Sequence, residues 1–268
     1  MAGSAAGALA PILARKRAEA ETLRCGAAAI WARAEAAPPP RGFVAALHPG
    51  TVIAEMKRRS PSGGALRADL DPAVMARAYA QAGAAALSVL TDGPDFGGSL
   101  DDLVAARAAV ALPVLRKDFV VDPVQVAEAR VAGADAVLLI VAALQPAELE
   151  ACLAAAGRCG LDALVEVHDA DEAATAVAAG AACIGVNNRD LRSLTTDLGT
   201  FARVRPRVPE SVVCVAESGI RDDADARRLV GEGAAAVLVG ETLMRSPDPA
   251  AACAALVEAA RDAAGAGR

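Results

Sequence analysis

Only two histidines, His48 and His168, occur in 268 residues, and no two of the six cysteines are spaced as C-x-x-C. A zinc site built from nitrogen and sulfur ligands has almost no material here, so no metal is expected. Aromatic residues make up 2% of the chain, which leaves few platforms for stacking single-stranded nucleic acid. The formal net charge of -6 opposes broad attraction to phosphate backbones, so nucleic acid is not an expected partner. Any anionic ligand must be held by a local site. No apolar run approaches the roughly 18 residues that would span a bilayer. The hydrophobic content of 54% is largely alanine spread through helical stretches, so no membrane association is expected. Residues 1–11 lack the basic region of a secretory signal, and Cys25, Cys152, Cys159, Cys183, Cys214 and Cys253 show no disulfide-framework spacing. The expected setting is the cytoplasm, with free thiols.

What the chain does have is eight short apolar runs, at 52–54, 86–90, 113–115, 136–140, 163–165, 184–186, 212–215 and 237–239. Several end in a charge that an apolar strand should not carry: Glu55 and Lys57, Lys117, Glu166, and Glu217. In a (β/α)8 barrel the chemistry sits at the C-terminal ends of the strands, so charges at those points read as function. An internal echo supports eight strands. Gly83, Gly133, Gly180 and Gly233 each stand in Ala/Glu-Gly-Ala before an apolar run, at separations of 50, 47 and 53 residues. That period marks every second strand–helix unit, and each glycine suits the left-handed residue that closes a helix.

Asp71-Pro72 and Asp122-Pro123 place an N-cap acceptor before a proline at the first helical position. Strands alternating with helices imply parallel pairing, hence an α/β (β/α)8 TIM barrel of roughly 250 residues. A doubly wound sheet is the alternative, but no G-x-G-x-x-G follows an early strand. Residues 1–47 read as an N-terminal helical extension and 48–268 as the barrel, one domain overall. In the extension Ile12, Leu13, Lys16 and Ala20 share one face of a helix that Pro38-Pro39-Pro40 ends, and residues 1–8 are either part of it or a disordered leader.

Side chains alternate along a strand, so Ile53, Glu55 and Lys57 share a face, as do Leu115 and Lys117, then Leu164, Glu166 and His168, then Gly185 and Asn187. If these faces point inward, two lysines and two or three carboxylates share one pocket above the apolar layers. Burial lowers the basicity of a lysine and carboxylates restore it, so such a lysine can be tuned to release a proton near neutral pH. The bland reading is an ion-pair plug. Taking charges out of water costs several kcal/mol each, about as much as pairing returns, so a stabilising plug is the weaker reading.

A second constellation suits phosphate. Glu217-Ser218-Gly219-Ile220 follows the seventh run and Gly240-Glu241-Thr242 the eighth, where barrel enzymes commonly hold a phosphate on backbone N–H groups. Gly219 and Gly240 would let the backbone approach, and Ser60-Pro61-Ser62-Gly63-Gly64 would close the opposite side of the mouth. Glu241 would offer its N–H while its side chain points away. His168 reads as a rim hydrogen-bonder, and Cys183 and Cys214 as buried strand residues.

These motifs resemble those of the indole-3-glycerol phosphate synthase family. The resemblance is carried by Ile53-Ala54-Glu55-Met56-Lys57-Arg58-Arg59-Ser60-Pro61-Ser62, Pro113-Val114-Leu115-Arg116-Lys117-Asp118-Phe119, Leu164-Val165-Glu166-Val167-His168, Val186-Asn187-Asn188-Arg189-Asp190-Leu191, Ala216-Glu217-Ser218-Gly219 and Val239-Gly240-Glu241-Thr242-Leu243-Met244. It implies a carboxy-lyase that cyclises 1-(2-carboxyphenylamino)-1-deoxyribulose 5-phosphate with loss of CO2 and water, without cofactor. It also implies that the one partner is a small phosphorylated molecule and the protein a monomer or weak homodimer.

Carried onto matching positions, the resemblance makes Lys117 the acid of ring closure and Glu166 the acid/base of dehydration. Lys57 would bind the substrate carboxylate, and Glu55 and Asn187 would orient lysines and hydroxyls. Glu217 would balance charge, with Ser60, Ser218, Gly219, Gly240 and Glu241 as phosphate and substrate contacts and Arg189 at the rim. The chain departs from the family pattern at Asp95, where an aromatic is usual, at Gly63, where lysine is common, and at Ala216, where serine is frequent. Two rival readings are a Schiff-base aldolase working through Lys117 or Lys57 and a phosphosugar-binding barrel without turnover.

Overall fold

Every apolar run lies within or overlaps a strand of the computed structural model, which describes residues 9–191 and 193–266. The strands are β1 (Thr51–Met56), β2 (Ala86–Leu90), β3 (Val114–Lys117), β4 (Ala136–Ile140), β5 (Asp162–Val167), β6 (Cys183–Asn187), β7 (Val213–Glu217) and β8 (Ala236–Val239). Each pairs in parallel with the strands before and after it, and β8 returns to β1, closing the barrel. Closure rules out the open doubly wound sheet.

The helices fall between the strands as the alternation requires. After β1 comes α3 (Pro72–Gln81); after β2, α4 (Gly93–Phe96) and α5 (Leu100–Ala109); after β3, α6 (Pro123–Val131). Then follow α7 (Pro146–Cys159), α8 (Ala170–Ala178), α9 (Gly199–Val204) and α10 (Asp223–Gly231), and after β8 α11 (Glu241–Arg245) and α12 (Pro249–Ala266). Asp71 and Asp122 cap α3 and α6 through their side chains, each with proline in the first turn. Gly83, Gly133, Gly180 and Gly233 have φ of 90°, 88°, 82° and 99°. After each, the next residue's N–H reaches back to the helix, as Ala84 does to the Tyr79 carbonyl at 3.0 Å and Ala134 to Ala129 at 2.9 Å. These are Schellman closures, and they explain why the glycine echo precedes every second strand.

Inside the barrel Ile53, Leu115, Leu138, Leu164, Val215 and Leu238 form the apolar filling. Phe43 and Leu47 close its N-terminal end, where Val44 N–H donates to Asp162 at 2.8 Å. The outward strand faces pack with the helices into a second, larger cluster.

The N-terminal extension differs from the single helix expected. It comprises α1 (Leu9–Arg24) and α2 (Ala27–Ala36), separated at Cys25 and Gly26. Turn-type bonds from Cys25 N to Thr22 O and from Gly26 N to Leu23 O tighten the end of α1, and Gly26 then starts α2 without a side-chain cap. A glycine inside one long helix would cost about 1 kcal/mol, so the break falls there. The chain is extended from Ala37 into the tri-proline. α1 buries Ile12, Lys16 and Ala20, the expected face. The reading of residues 1–8 lies outside the described residues.

Candidate active site

The inward alternation that fills the barrel with Ile53, Leu115 and Leu164 carries the next residues on those faces above the apolar layer. There Glu55, Lys117, Glu166, Asn187 and Glu217 line a cavity of about 680 Å³ at the C-terminal ends of the strands. Lys57, Ser60, Arg189, Ser218, Gly219, Gly240 and Glu241 line the same cavity, so all twelve sequence-derived candidates meet in one place.

Lys117 is the hub. Its ammonium donates to Glu166 Oε2 at 2.9 Å and to Glu217 Oε2 at 2.5 Å, joining β3, β5 and β7. Burial pulls this lysine toward neutrality, but Glu166, Glu217 and Glu55 outweigh it and hold the ammonium above its ordinary range. The balance expected from sequence, a proton poised for release near neutral pH, therefore falls on the carboxylate side. A Schiff-base nucleophile must be neutral, so this environment also works against the aldolase reading.

The two carboxyls diverge. Burial would raise Glu166, but Lys117, His168 and Asn187 outweigh it and keep it ionised far below the usual range. Glu217 is raised to about 7, chiefly by burial and by repulsion from Glu166, with Lys117 opposing. Its Oε1 is buried and has no hydrogen-bond partner among the described residues. A Cβ on Gly185 would lie 1.9 Å from that oxygen, so glycine on β6 is what makes room for the Glu217 carboxyl.

Glu55 is held by Lys57 Nζ at 2.6 Å and by the Ser88 hydroxyl at 3.2 Å. Gly240 serves this pair: a Cβ there would lie 2.3 Å from Glu55 Oε1. Gly240 thus makes room for a carboxylate, a demand that its spacing did not reveal. Asn187 donates to Glu166 Oε1 at 3.0 Å and accepts from Arg189 N–H at 3.0 Å.

On the phosphate side Ser218 and Gly219 both have positive φ, 65° and 82°. A serine in that region stores strain of order 1–3 kcal/mol, which persists where the surroundings demand it. Asn188 supplies the demand, donating to the Ser218 carbonyl at 3.2 Å and accepting from Phe201 N–H at 3.0 Å. Glu241 does not point away. Its carboxylate lies 3.2 Å from Arg189 and 3.0 Å from Arg245, which hold it below the usual range against burial. Arg245 also donates to Gly63 O at 2.7 Å and Arg189 donates to Ser62, so the 58–64 loop hangs from both arginines. An arginine of α11 thus supplies a cation beside Gly63.

Sequence reasoning missed Ser88 and Arg15 and gave His168 only a rim role. Ser88 was visible as the one hydroxyl in an apolar run, and β1–β2 register sets it opposite Glu55. His168, read as a rim group, stands behind Glu166. Its Nδ1 lies 3.0 Å from Glu172 and its Nε2 3.3 Å from Glu166 Oε1, without an aligned hydrogen bond. Burial opposes the charge, yet the two carboxylates raise the imidazole to about 10. Arg15 explains Asp95: it pairs with Asp95 at 2.7 Å and Asp92 at 2.8 Å, beside Phe96 and Phe119, whose rings are 6.1 Å apart on the cavity wall.

Comparison with known proteins concerns the whole chain. A family model described as indole-3-glycerol phosphate synthase matches residues 9–256. The chain is 60% identical over 218 residues to an indole-3-glycerol phosphate synthase 2 of Streptomyces coelicolor, covering 81% of this chain and 84% of that one. It is 55% identical over 232 residues to the indole-3-glycerol phosphate synthase of Mycolicibacterium smegmatis, covering 86% and 85%. Among solved structures, a mandelate oxidase mutant with an FMN adduct superposes with a TM-score of 0.60 at 21% identity, over 81% of this chain and 74% of that one. That likeness concerns the fold alone.

Proposed function

From the premise that the chain belongs to the indole-3-glycerol phosphate synthase family, we propose how its cavity divides the labour of the reaction. The protein is a carboxy-lyase of tryptophan biosynthesis that converts 1-(2-carboxyphenylamino)-1-deoxyribulose 5-phosphate to indole-3-glycerol phosphate, CO2 and water. The aryl carbon bearing the carboxylate must bond to the ribulose carbonyl carbon, and the carbonyl oxygen must then leave as water. An ionised carboxylate departs as neutral CO2, so each turnover takes up one proton.

Lys117 is the acid of ring closure. The observation that carries this assignment is its buried ammonium between Glu166 and Glu217, held charged and facing the cavity. As the carbonyl carbon is attacked, negative charge develops on its oxygen, and a positioned N–H there both stabilises and protonates it. Glu166, kept ionised, is the base that accepts the proton lost as the indole forms. Asn187 fixes its orientation. Lys57, paired with Glu55, receives the substrate carboxylate, and Glu217, near neutrality in its proton affinity, absorbs changes of charge in the pocket. Phe96 and Phe119 wall the aryl group, and Ser60, Arg189 and the Ser218–Gly219 and Gly240–Glu241 backbones receive the phosphate. The setting proposed is the cytoplasm: all six cysteines are free, five of them buried, which fits a reducing compartment. Among the described residues no helix is long and apolar enough to cross a membrane.

Lys117→Met tests the central assignment. Turnover should fall by about two to four orders of magnitude with the fold intact by circular dichroism. A loss under about tenfold contradicts the role.

A further inference from the structure

We propose that Lys16, on a helix outside the barrel repeat, is a positioning residue for Lys117 and for the aromatic wall beside it. The inference rests on the assignment of Lys117 as the acid and adds α1 to the working parts of the site. Lys16 is 4% exposed. Its ammonium lies 2.8 Å from Asp118 Oδ1, 3.2 Å from Asp92 Oδ2 and 3.0 Å from Glu19 Oε2.

Strand alternation turns Lys117 inward and Arg116 outward, and Asp118, the first residue past β3, turns its carboxylate to Lys16 and Arg116. Both neighbours of Lys117 are saturated with partners. Asp118 accepts from Thr91 at 2.6 Å, Arg116 at 3.0 Å and Phe119 N–H at 2.8 Å, besides Lys16. Arg116 donates onward to Glu128 at 2.9 Å. The register of β3 with β4 stops at Arg116, whereas β2 still pairs Leu90 with Lys117 and Thr91 N–H donates to the Lys117 carbonyl at 3.1 Å, so the cluster adds side-chain ties to a strand end whose backbone is held on the β2 side. The second carboxylate on Lys16, Asp92, caps the helical turn carrying Phe96, accepting from Asp95 N–H at 3.0 Å. One ammonium thus ties the Lys117–Phe119 segment to the Phe96 turn.

A purely stabilising role is the competing explanation. Buried charges return about what their desolvation costs, and apolar replacements often do as well. A stabilising network would have no reason to gather on the two flanks of the reacting lysine.

The test is a double-mutant cycle on the full chain, with kcat and KM measured well below each variant's own Tm. Lys16→Met should lower kcat by at least about tenfold, and Lys16→Arg should recover it to within about threefold of wild type. Added to Lys117→Met, Lys16→Met should change the residual turnover by less than about threefold, because the group it positions is gone. Folded Lys16→Met with kcat and KM within about twofold of wild type overturns the proposal, and so does full additivity with Lys117→Met. Should Lys16→Met not fold, the cycle is read with Lys16→Gln, which keeps an N–H donor, on the same thresholds. If Lys117→Met itself retains activity, the assignment of Lys117 fails; if only the Lys16 variants behave as wild type, this inference alone fails.

Discussion

Glu166 carries a proton affinity that three neighbours from outside its own strand decide. Lys117 and Asn187 bond it from β3 and β6, and the imidazole of His168 stands against its Oε1. The shared face of Glu166 and His168 is legible from their spacing of two. The imidazole's second partner, Glu172, is not, because the intervening turn from β5 into α8 decides whether that side chain folds back. His168 therefore looked like an isolated rim group, and only the fold makes it an imidazolium between carboxylates. Its folded value of about 10 stands above the ordinary 6.5, so the stability it contributes is complete below pH 6.5 and is lost as pH rises through about 10. The stability gap between wild type and His168→Gln, from urea unfolding at pH 6, 8 and 10, should shrink by about 1.4 kcal/mol per pH unit across that window. A gap independent of pH contradicts the charged imidazole. At Gly240, alanine would drive Glu55 aside, and a displacement of about 1 Å at such a site costs on the order of a hundredfold. Gly240→Ala should show that loss in kcat/KM; wild-type kinetics would mean the carboxylate relocates without consequence.

At the scale of elements, the strands and the helix closures were the most legible features, because each depends on short-range chemistry. The left-handed closures need glycine where the chain turns from a helix into a strand that starts three residues later, and Gly180 isolates that requirement. Its φ is 82° and a Cβ there meets no atom of the described residues within 4 Å, so alanine would bear only the conformational penalty. Gly180→Ala should lose about 1–2 kcal/mol in urea unfolding and leave kcat unchanged. A neutral substitution would contradict the Schellman assignment. The division of the extension into α1 and α2 was harder to read, since Gly26 is one weak breaker among alanines and its effect depends on where α1 packs. The loop at 58–64 was legible as a loop, but its suspension from Arg189 and Arg245 was not, because those arginines arrive from the loop after β6 and from the end of α11.

At the scale of the whole molecule, the barrel is what turns distant sequence into one pocket. Lys57 and Gly240 line a single cavity although 183 positions separate them, and the parallel register carries every inward charge to the same rim. That convergence follows from eight strand ends with a common direction, so the identity of the candidate residues could be read before the fold was known. Their mutual contacts could not, because strand tilt and register choose which inward side chains meet. Lys117 between Glu166 and Glu217 is such a choice, and it converts a list of charges into an acid with a base beside it. The most direct measurement is turnover of the carboxyphenylamino-deoxyribulose phosphate by the purified protein, followed by the indole chromophore with and without chelator. Prompt formation of indole-3-glycerol phosphate at the same rate in both is predicted. Tight binding without product, or no turnover at all, would contradict the account.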